Sequence, residues 1–213
     1  MKHKLIPLLL LAAILLPIVV DNSYVLGICI KILLYMLLAS SVNVINGYSG
    51  QFAIGHAGFL CVGAYTAAIL MARANVPFFL AMLGAGVMTA LFGMLVSFPI
   101  GKLSGIYLGF VTLGFSEIVR IICLNWTSVT GGPMGIKAIP GPKIFGLSLQ
   151  SSRGYYYIIF AVLVIMVFCT SRILKSRTGR AWISIRENGA AAASIGINTT
   201  QYKTMNIMYA TFW

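Results

Sequence analysis

Acidic residues are nearly missing from this chain: 213 positions hold only Asp21, Glu117 and Glu187. So few carboxylates leave no acid pair for general acid–base work and no cluster to hold a metal, so no catalytic residue and no metal site is expected. A phosphate-binding GxxxxGK(S/T) loop is also missing, because Gly101-Lys102 is followed by Leu103 and lacks the upstream glycine. The chain is therefore not expected to hydrolyse ATP itself, and no cofactor is implied. The four cysteines (Cys29, Cys61, Cys123, Cys169) form no CxxC pair. Scattered through apolar stretches, they read as small hydrophobes and not as a disulfide or metal framework. Charge of either sign is scarce, at 8% of residues against 60% apolar. A soluble domain would need far more charge to cover its surface, so residues 1–213 read as a single membrane-spanning domain. The net charge of +12 does not indicate nucleic acid, since no basic run is interleaved with stacking aromatics.

What is present is a series of long apolar runs. A membrane span needs about 20 such residues. The chain supplies them over 5–20, 24–45, 52–72, 78–100, 106–124 and 155–170, and a further run begins near Thr204 and stops at Trp213. The expected fold is an all-α polytopic transmembrane helix bundle with six spans and an incomplete seventh. The first run follows Lys2-His3-Lys4 as a secretory signal would, but it has no clear small-x-small cleavage site, so it is expected to be kept as a span. With the amino terminus inside, the inner segments hold Lys2, Lys4, Lys102, Arg172, Lys175, Arg177, Arg180, Arg186 and Lys203. The outer ones hold only Arg73, Lys137, Lys143 and Arg153. Nine against four is the asymmetry of the positive-inside rule, giving a multi-pass membrane protein with a cytoplasmic amino terminus. Lys31 and Arg120 fall within spans; Lys31 lies near an outer end and snorkels. Residues 125–154 form an outer loop with turn signals at Gly131-Gly132-Pro133 and Pro140-Gly141-Pro142.

Three places carry more than hydropathy. Residues 43–70, NVINGYSGQFAIGHAGFLCVGAYTAAIL, hold Gly47, Gly50, Gly55, Gly58 and Gly63 among small neighbours. Small side chains let helices approach closely, and a glycine cluster before Phe52 breaks the helix, which is tolerated at membrane depth inside protein or beside a wet cavity. A tight helix contact and a lining of a translocation path both fit, and both can hold. His56 among these glycines reads first as an interhelical contact. Glu117 and Arg120 lie three apart, on one helical face. Each costs about 2.5–3.5 kcal/mol inside a span, and pairing offsets that; a structural ion pair and a role in the path stay open. Third, the basic inner loop over 172–203 is too long for a turn. Ser176 or Thr178 is expected to cap a short helix bearing Trp182 and Ile185. Gly189 then permits a bend, Ala190 to Ala193 a second helix, and Gly196 its end. By spacing alone this loop either rests on lipid head groups or docks a cytoplasmic partner through Trp182.

These stretches resemble one family. GYSGQFAIGHAGFLCVGAY is similar to the glycine-rich segment of branched-chain amino-acid ABC permeases, TGGPMGI at 130–136 to their TGG-x-x-GI, and GRAWISIRENGAAAASIGI at 179–197 to their cytoplasmic motif, in the expected order. The match is closest to the larger of the two paired permeases. The resemblance implies a coupling loop over 172–203 in which Arg186, Glu187 and Gly196 meet an ATPase, and a central path near Gly47, Ser49, Gly50, Gly55 and Gly58; residue type and spacing add Arg180 and Trp182 to the coupling candidates, and His56, Glu117 and Arg120 to the path candidates. It implies a second permease subunit, two ABC ATPase subunits, a periplasmic or lipid-anchored amino-acid binding protein and membrane lipid as partners. Leucine, isoleucine or valine would be the substrate; urea and amides are served by related systems. Ser184 stands where the family often has alanine. Family members continue for several further spans, so the resemblance implies a chain cut short at its carboxyl end.

Two rivals remain. A secondary transporter or channel also uses broken helices at the midplane, but needs no docking helix pair in an inner loop. Gly47-Tyr48-Ser49-Gly50 matches the GxSG of rhomboid-type intramembrane proteases with His56 following. Ser49 and His56 would be about 10.5 Å apart along a helix, well beyond the 2.6–3.2 Å that nucleophilic catalysis requires.

Overall fold

Apolar segments that lose water must satisfy their own backbone groups, and a helix does so within one segment. The computed structural model describes residues 13–18, 22–100, 106–144, 147–148 and 151–213. Helix α1 spans Ser23–Asn43 and opens on Asn22, whose side chain accepts the Tyr24 N–H at 2.9 Å. It widens into one π-helical turn, Val44–Tyr48. After a non-helical stretch come α2 (His56–Ala72), α3 (Phe78–Ile100) and α4 (Ile106–Asn125). A short helix, α5 (Thr127–Thr130), a 3₁₀ turn (Gly132–Met134) and a two-residue antiparallel pair, β1 (Lys143–Ile144) with β2 (Leu147–Ser148), make the connection to α6 (Ser152–Leu174). Two short helices, α7 (Arg177–Glu187) and α8 (Gly189–Ser194), precede α9 (Thr199–Phe212).

Helix α3 packs against both α2 and α9, α1 against α6, and α2 against α4. One apolar core gathers Leu37, Val44, Ile45, Met166, Trp182 and Ile207, so the π turn sits where α1, α6, α7 and α9 converge. Outward faces are apolar: Phe98 is 85% exposed, Leu95 69% and Phe110 67%. A water-soluble fold would cover such side chains; in a bilayer they meet acyl chains or other subunits.

Span counting is where the structure differs from hydropathy. Among the described residues four helical stretches are long and apolar enough to cross a membrane: Ser23–Tyr48, Phe78–Phe98, Tyr107–Asn125 and Ser152–Leu174. His56–Ala72 is a shorter apolar helix, because the expected third span loses its first residues to the glycine break. At 1.5 Å per residue its 17 residues rise about 25 Å, short of a 30 Å core. The expected seventh segment is the 14-residue α9, and most of the expected first span, 5–20, lies outside the described residues. The expected cap on α7 also differs: Ser176 donates its hydroxyl back to the Ile173 carbonyl at 2.6 Å and makes no side-chain cap bond. Asn188 and Asn198 do the capping of α8 and α9.

The α2–α4 contact brings two thiols together, Cys61 Sγ lying 3.5 Å from Cys123 Sγ. Mild copper-catalysed oxidation of the membrane-embedded protein should therefore join them within one chain, as an electrophoretic shift that Cys61→Ala removes. A cross-link to Cys29 or Cys169 instead would contradict this helix pairing.

Candidate functional site

The break between α1 and α2 is built from polar side chains that replace the missing helical bonds. Gly50 adopts φ +65, a left-handed conformation that glycine enters without steric cost. Beyond it, the side chain of Asn46 treats Ala53 as a strand partner would, taking the Ala53 N–H at 3.1 Å and donating to its carbonyl at 3.4 Å. Gln51 is buried; its Nε2 donates to Ser49 Oγ at 2.9 Å and reaches the Lys203 carbonyl and Asn206 Oδ1 from α9. Asn206, fully buried, donates to the Val44 carbonyl at 3.0 Å, where the helix widens. Hydrogen bonds between membrane helices average about 0.6 kcal/mol, so this network specifies position more than it adds stability.

His56 begins α2. Ser41 Oγ lies 2.6 Å from the Ala210 carbonyl and 2.8 Å from His56 Nε2. A hydroxyl carries one hydrogen, and only donation satisfies the carbonyl, so His56 Nε2 is the donor in the other bond. The imidazole therefore links α1, α2 and α9 as an interhelical contact. The protease alternative loses its geometry here: Ser49 is bonded to Gln51 and His56 to Ser41, while Ser41 is sealed from solvent and gives its hydrogen to a carbonyl.

Gly55 and Gly58 sit at the α2–α4 crossing. A Cβ at Gly55 would overlap the Thr112 carbonyl, and one at Gly58 would lie 2.7 Å from Ser116 Cα. The Thr112 hydroxyl is within 3.1 Å of the Ile54 N and 3.3 Å of the Gly55 N. These two glycines serve close approach. Glu117 and Arg120 are paired to each other, Nε to Oε2 at 2.9 Å, on the outward face of α4 with side chains 51% and 60% exposed. Their exposed side chains form a surface that meets whatever surrounds this chain, while Ser116 beside Glu117 lies against Gly58.

The α7–α8 loop folds onto that cluster. Helix α7 is amphipathic: Gly179, Ala181, Trp182 and Ile185 face inward, while Arg177, Arg180, Ile183 and Glu187 form an outward stripe at helical spacing. Trp182 is 1% exposed and its Nε1 donates to the Tyr202 carbonyl at 3.0 Å. Its indole is thus occupied inside the chain and fastens α7 to α9; it does not stand out as an anchor for a partner. Arg186 Nη1 donates to the Gly47 carbonyl at 2.8 Å, joining loop to break directly. After α8, Gly196 turns at φ +86 with open space around it, next to Ile195, which is 74% exposed. Ile195 was missed by sequence reasoning, although an isoleucine between serine and glycine in a basic loop is a signal of a contact surface. Asn206 and Gln51 were missed too; an amide within an apolar run is the hint.

Known proteins fit this arrangement. A sequence model of the family described as "Branched-chain amino acid transport system / permease component" matches residues 24–212. The chain is similar to the high-affinity branched-chain amino acid transport system permease protein LivM of Salmonella typhimurium, 36% identical over 226 residues that cover 95% of this chain and 53% of that protein. It is similar to the protein of that name from Escherichia coli, at 35% identity and the same coverage. A probable branched-chain amino acid transport permease protein LivM of Methanocaldococcus jannaschii is 25% identical over 82% of this chain and 60% of its own length. The chain spans about half the length of the two bacterial relatives. No solved structure matches it. These relatives are permease components of transport systems and not enzymes, and the apolar helices make this a multi-pass membrane protein. The chain belongs to the family of permease components of branched-chain amino acid transport systems.

Proposed function

We propose that this chain lines the membrane path of an ATP-driven importer of branched-chain amino acids and is moved by separate ATPase subunits. The observation that carries the reading is the α7–α8 loop: it presents an outward stripe with Arg180 and Glu187 and the exposed Ile195 and Gly196, while its Arg186 bonds the Gly47 carbonyl of the Gly47–Gly55 break. A docking surface attached to a non-helical stretch between two membrane helices is what a motor-driven path requires, since irregular backbone is the part of a span that moves most easily. Gly47, Ser49, Gly50, Gly55, His56 and Gly58 would border the path, and Glu117 with Arg120 would face a neighbouring permease subunit or the path between the two. Two ATPase subunits would sit under the loop on the cytoplasmic side of a bacterial inner membrane. A periplasmic or lipid-anchored binding protein would deliver leucine, isoleucine or valine from the other side. The chain itself performs no chemistry.

Co-expression with an ATPase subunit tests this. The native chain should co-purify with it and, with the second permease, support leucine uptake into vesicles that depends on ATP. The double variant Glu187→Lys, Gly196→Trp should lose most of that association while remaining in the membrane. Uptake driven by an ion gradient without any ATPase would overturn the proposal in favour of a secondary transporter.

A further inference from the structure

Arg186 has a use that an outward-facing coupling residue does not need. Its guanidinium works in two directions at once: Nη1 donates to the Gly47 carbonyl at 2.8 Å, while Nε and Nη2 donate to Glu187 Oε1 at 3.2 and 2.6 Å. Its stem lies on the backbone at Gly50, so that a Cβ built there would come within 2.7 Å of Arg186 Cγ and 3.3 Å of its Cα. A planar fork with several fixed donors can hold a carboxylate and a carbonyl together; the single ammonium of a lysine cannot reproduce that pattern. Glu187 gives one oxygen to this fork, takes no hydrogen bond on the other among the described residues, and is 67% exposed. Between Gly47 and Gly50 lies Ser49, only 2% exposed, at the end of the widened turn.

We infer that Arg186 is a positioning residue, the strut through which a displacement of α7 reaches the backbone at Gly47 and Gly50. This deepens the importer reading and rests on it for its purpose. The contact explains why α7 is held rigidly by Trp182 on one side while its Glu187 end stays open on the other: the helix moves as one body, and the guanidinium carries that motion to the softest part of the bundle. A cationic group of a partner arriving at Glu187 would compete with Arg186 for the carboxylate and so alter its hold on Gly47.

The test reads the break itself. In a background with Cys29, Cys61, Cys123 and Cys169 replaced by alanine, Ser49→Cys is alkylated with a maleimide in native membranes. Arg186→Ala should raise the labelling rate about tenfold, because a charge-assisted tether on a locally weak segment has been removed. Arg186→Lys should raise it less, and Gly50→Ala, whose methyl presses on the Arg186 stem, should raise it with every charged group kept. Arg177→Ala, on the outward stripe, should leave it unchanged. An unchanged rate in Arg186→Ala, or an equal rise in Arg177→Ala, overturns the strut. If native chains show no ATP-dependent uptake while the labelling pattern is as expected, the importer reading fails and the strut stands. If uptake is normal and labelling is unmoved, the reverse holds.

Discussion

Trp182→Ala should loosen α7 from the bundle at a cost of about 3–5 kcal/mol, the range for truncating a large buried aromatic. The indole is 1% exposed, lies 6.1 Å centroid to centroid from Tyr209, and gives its N–H to the Tyr202 carbonyl. Truncation leaves a void and removes the hydrogen bond from the indole to the Tyr202 carbonyl. Trp182→Phe separates the two effects, since it keeps most of the packing and loses the hydrogen bond, worth about 0.5–1.5 kcal/mol. Limited trypsin digestion of the purified protein in detergent gives the measurement, because Arg177, Arg180 and Arg186 flank the indole on a helix that resists cleavage only while packed. The alanine variant should be cut far faster than the native chain and the phenylalanine variant slightly faster. Equal half-lives for all three would mean that α7 is held by something other than this side chain.

The second large effect belongs to Gly55. Even a methyl group there would overlap the Thr112 carbonyl, so a valine must drive the α2 and α4 backbones apart. Overpacking of a side-chain core costs about 1–3 kcal/mol. Here the obstacle is backbone, and the Thr112 hydroxyl also loses its contacts to the Ile54 and Gly55 amides, so the cost should lie at the top of that range or beyond it. Gly55→Val should lower the folded yield several-fold and weaken the Cys61–Cys123 cross-link. Gly27→Ala, where nothing lies within 4 Å of the new atom, should change neither. A Gly55→Val protein with native yield and native cross-linking would show that the two helices do not meet at this crossing.

Much of this was legible before any coordinates. Helical class, the break at Gly47–Gly50, the paired short helices after the α6 segment and the contact role of His56 all follow from residue type and spacing. The failures have physical causes. Hydropathy counts apolar residues but not backbone conformation, so it counts Phe52 to Gly55 into a span that begins at His56. The Ser176 side chain had two acceptable uses, capping forward or bonding back to a carbonyl, and spacing does not separate them. Trp182 looked like an anchor because a large aromatic in a basic loop must bury itself somewhere, and only the fold reveals that it does so within its own chain. The partners of Gln51 and Asn206 lie 152 to 162 residues away, beyond the reach of any local pattern.

That separation bears on how the molecule is made. Ser41, Val44 and Gln51 leave the ribosome before their partners on α9, which are 169, 162 and 152 positions later. At about 5–20 residues per second the delay is roughly ten to thirty seconds. During that interval a serine, a widened turn and an amide wait in the bilayer or the translocation machinery without their α9 partners, so insertion of α1 and the docking of α9 against it are separate events in biogenesis.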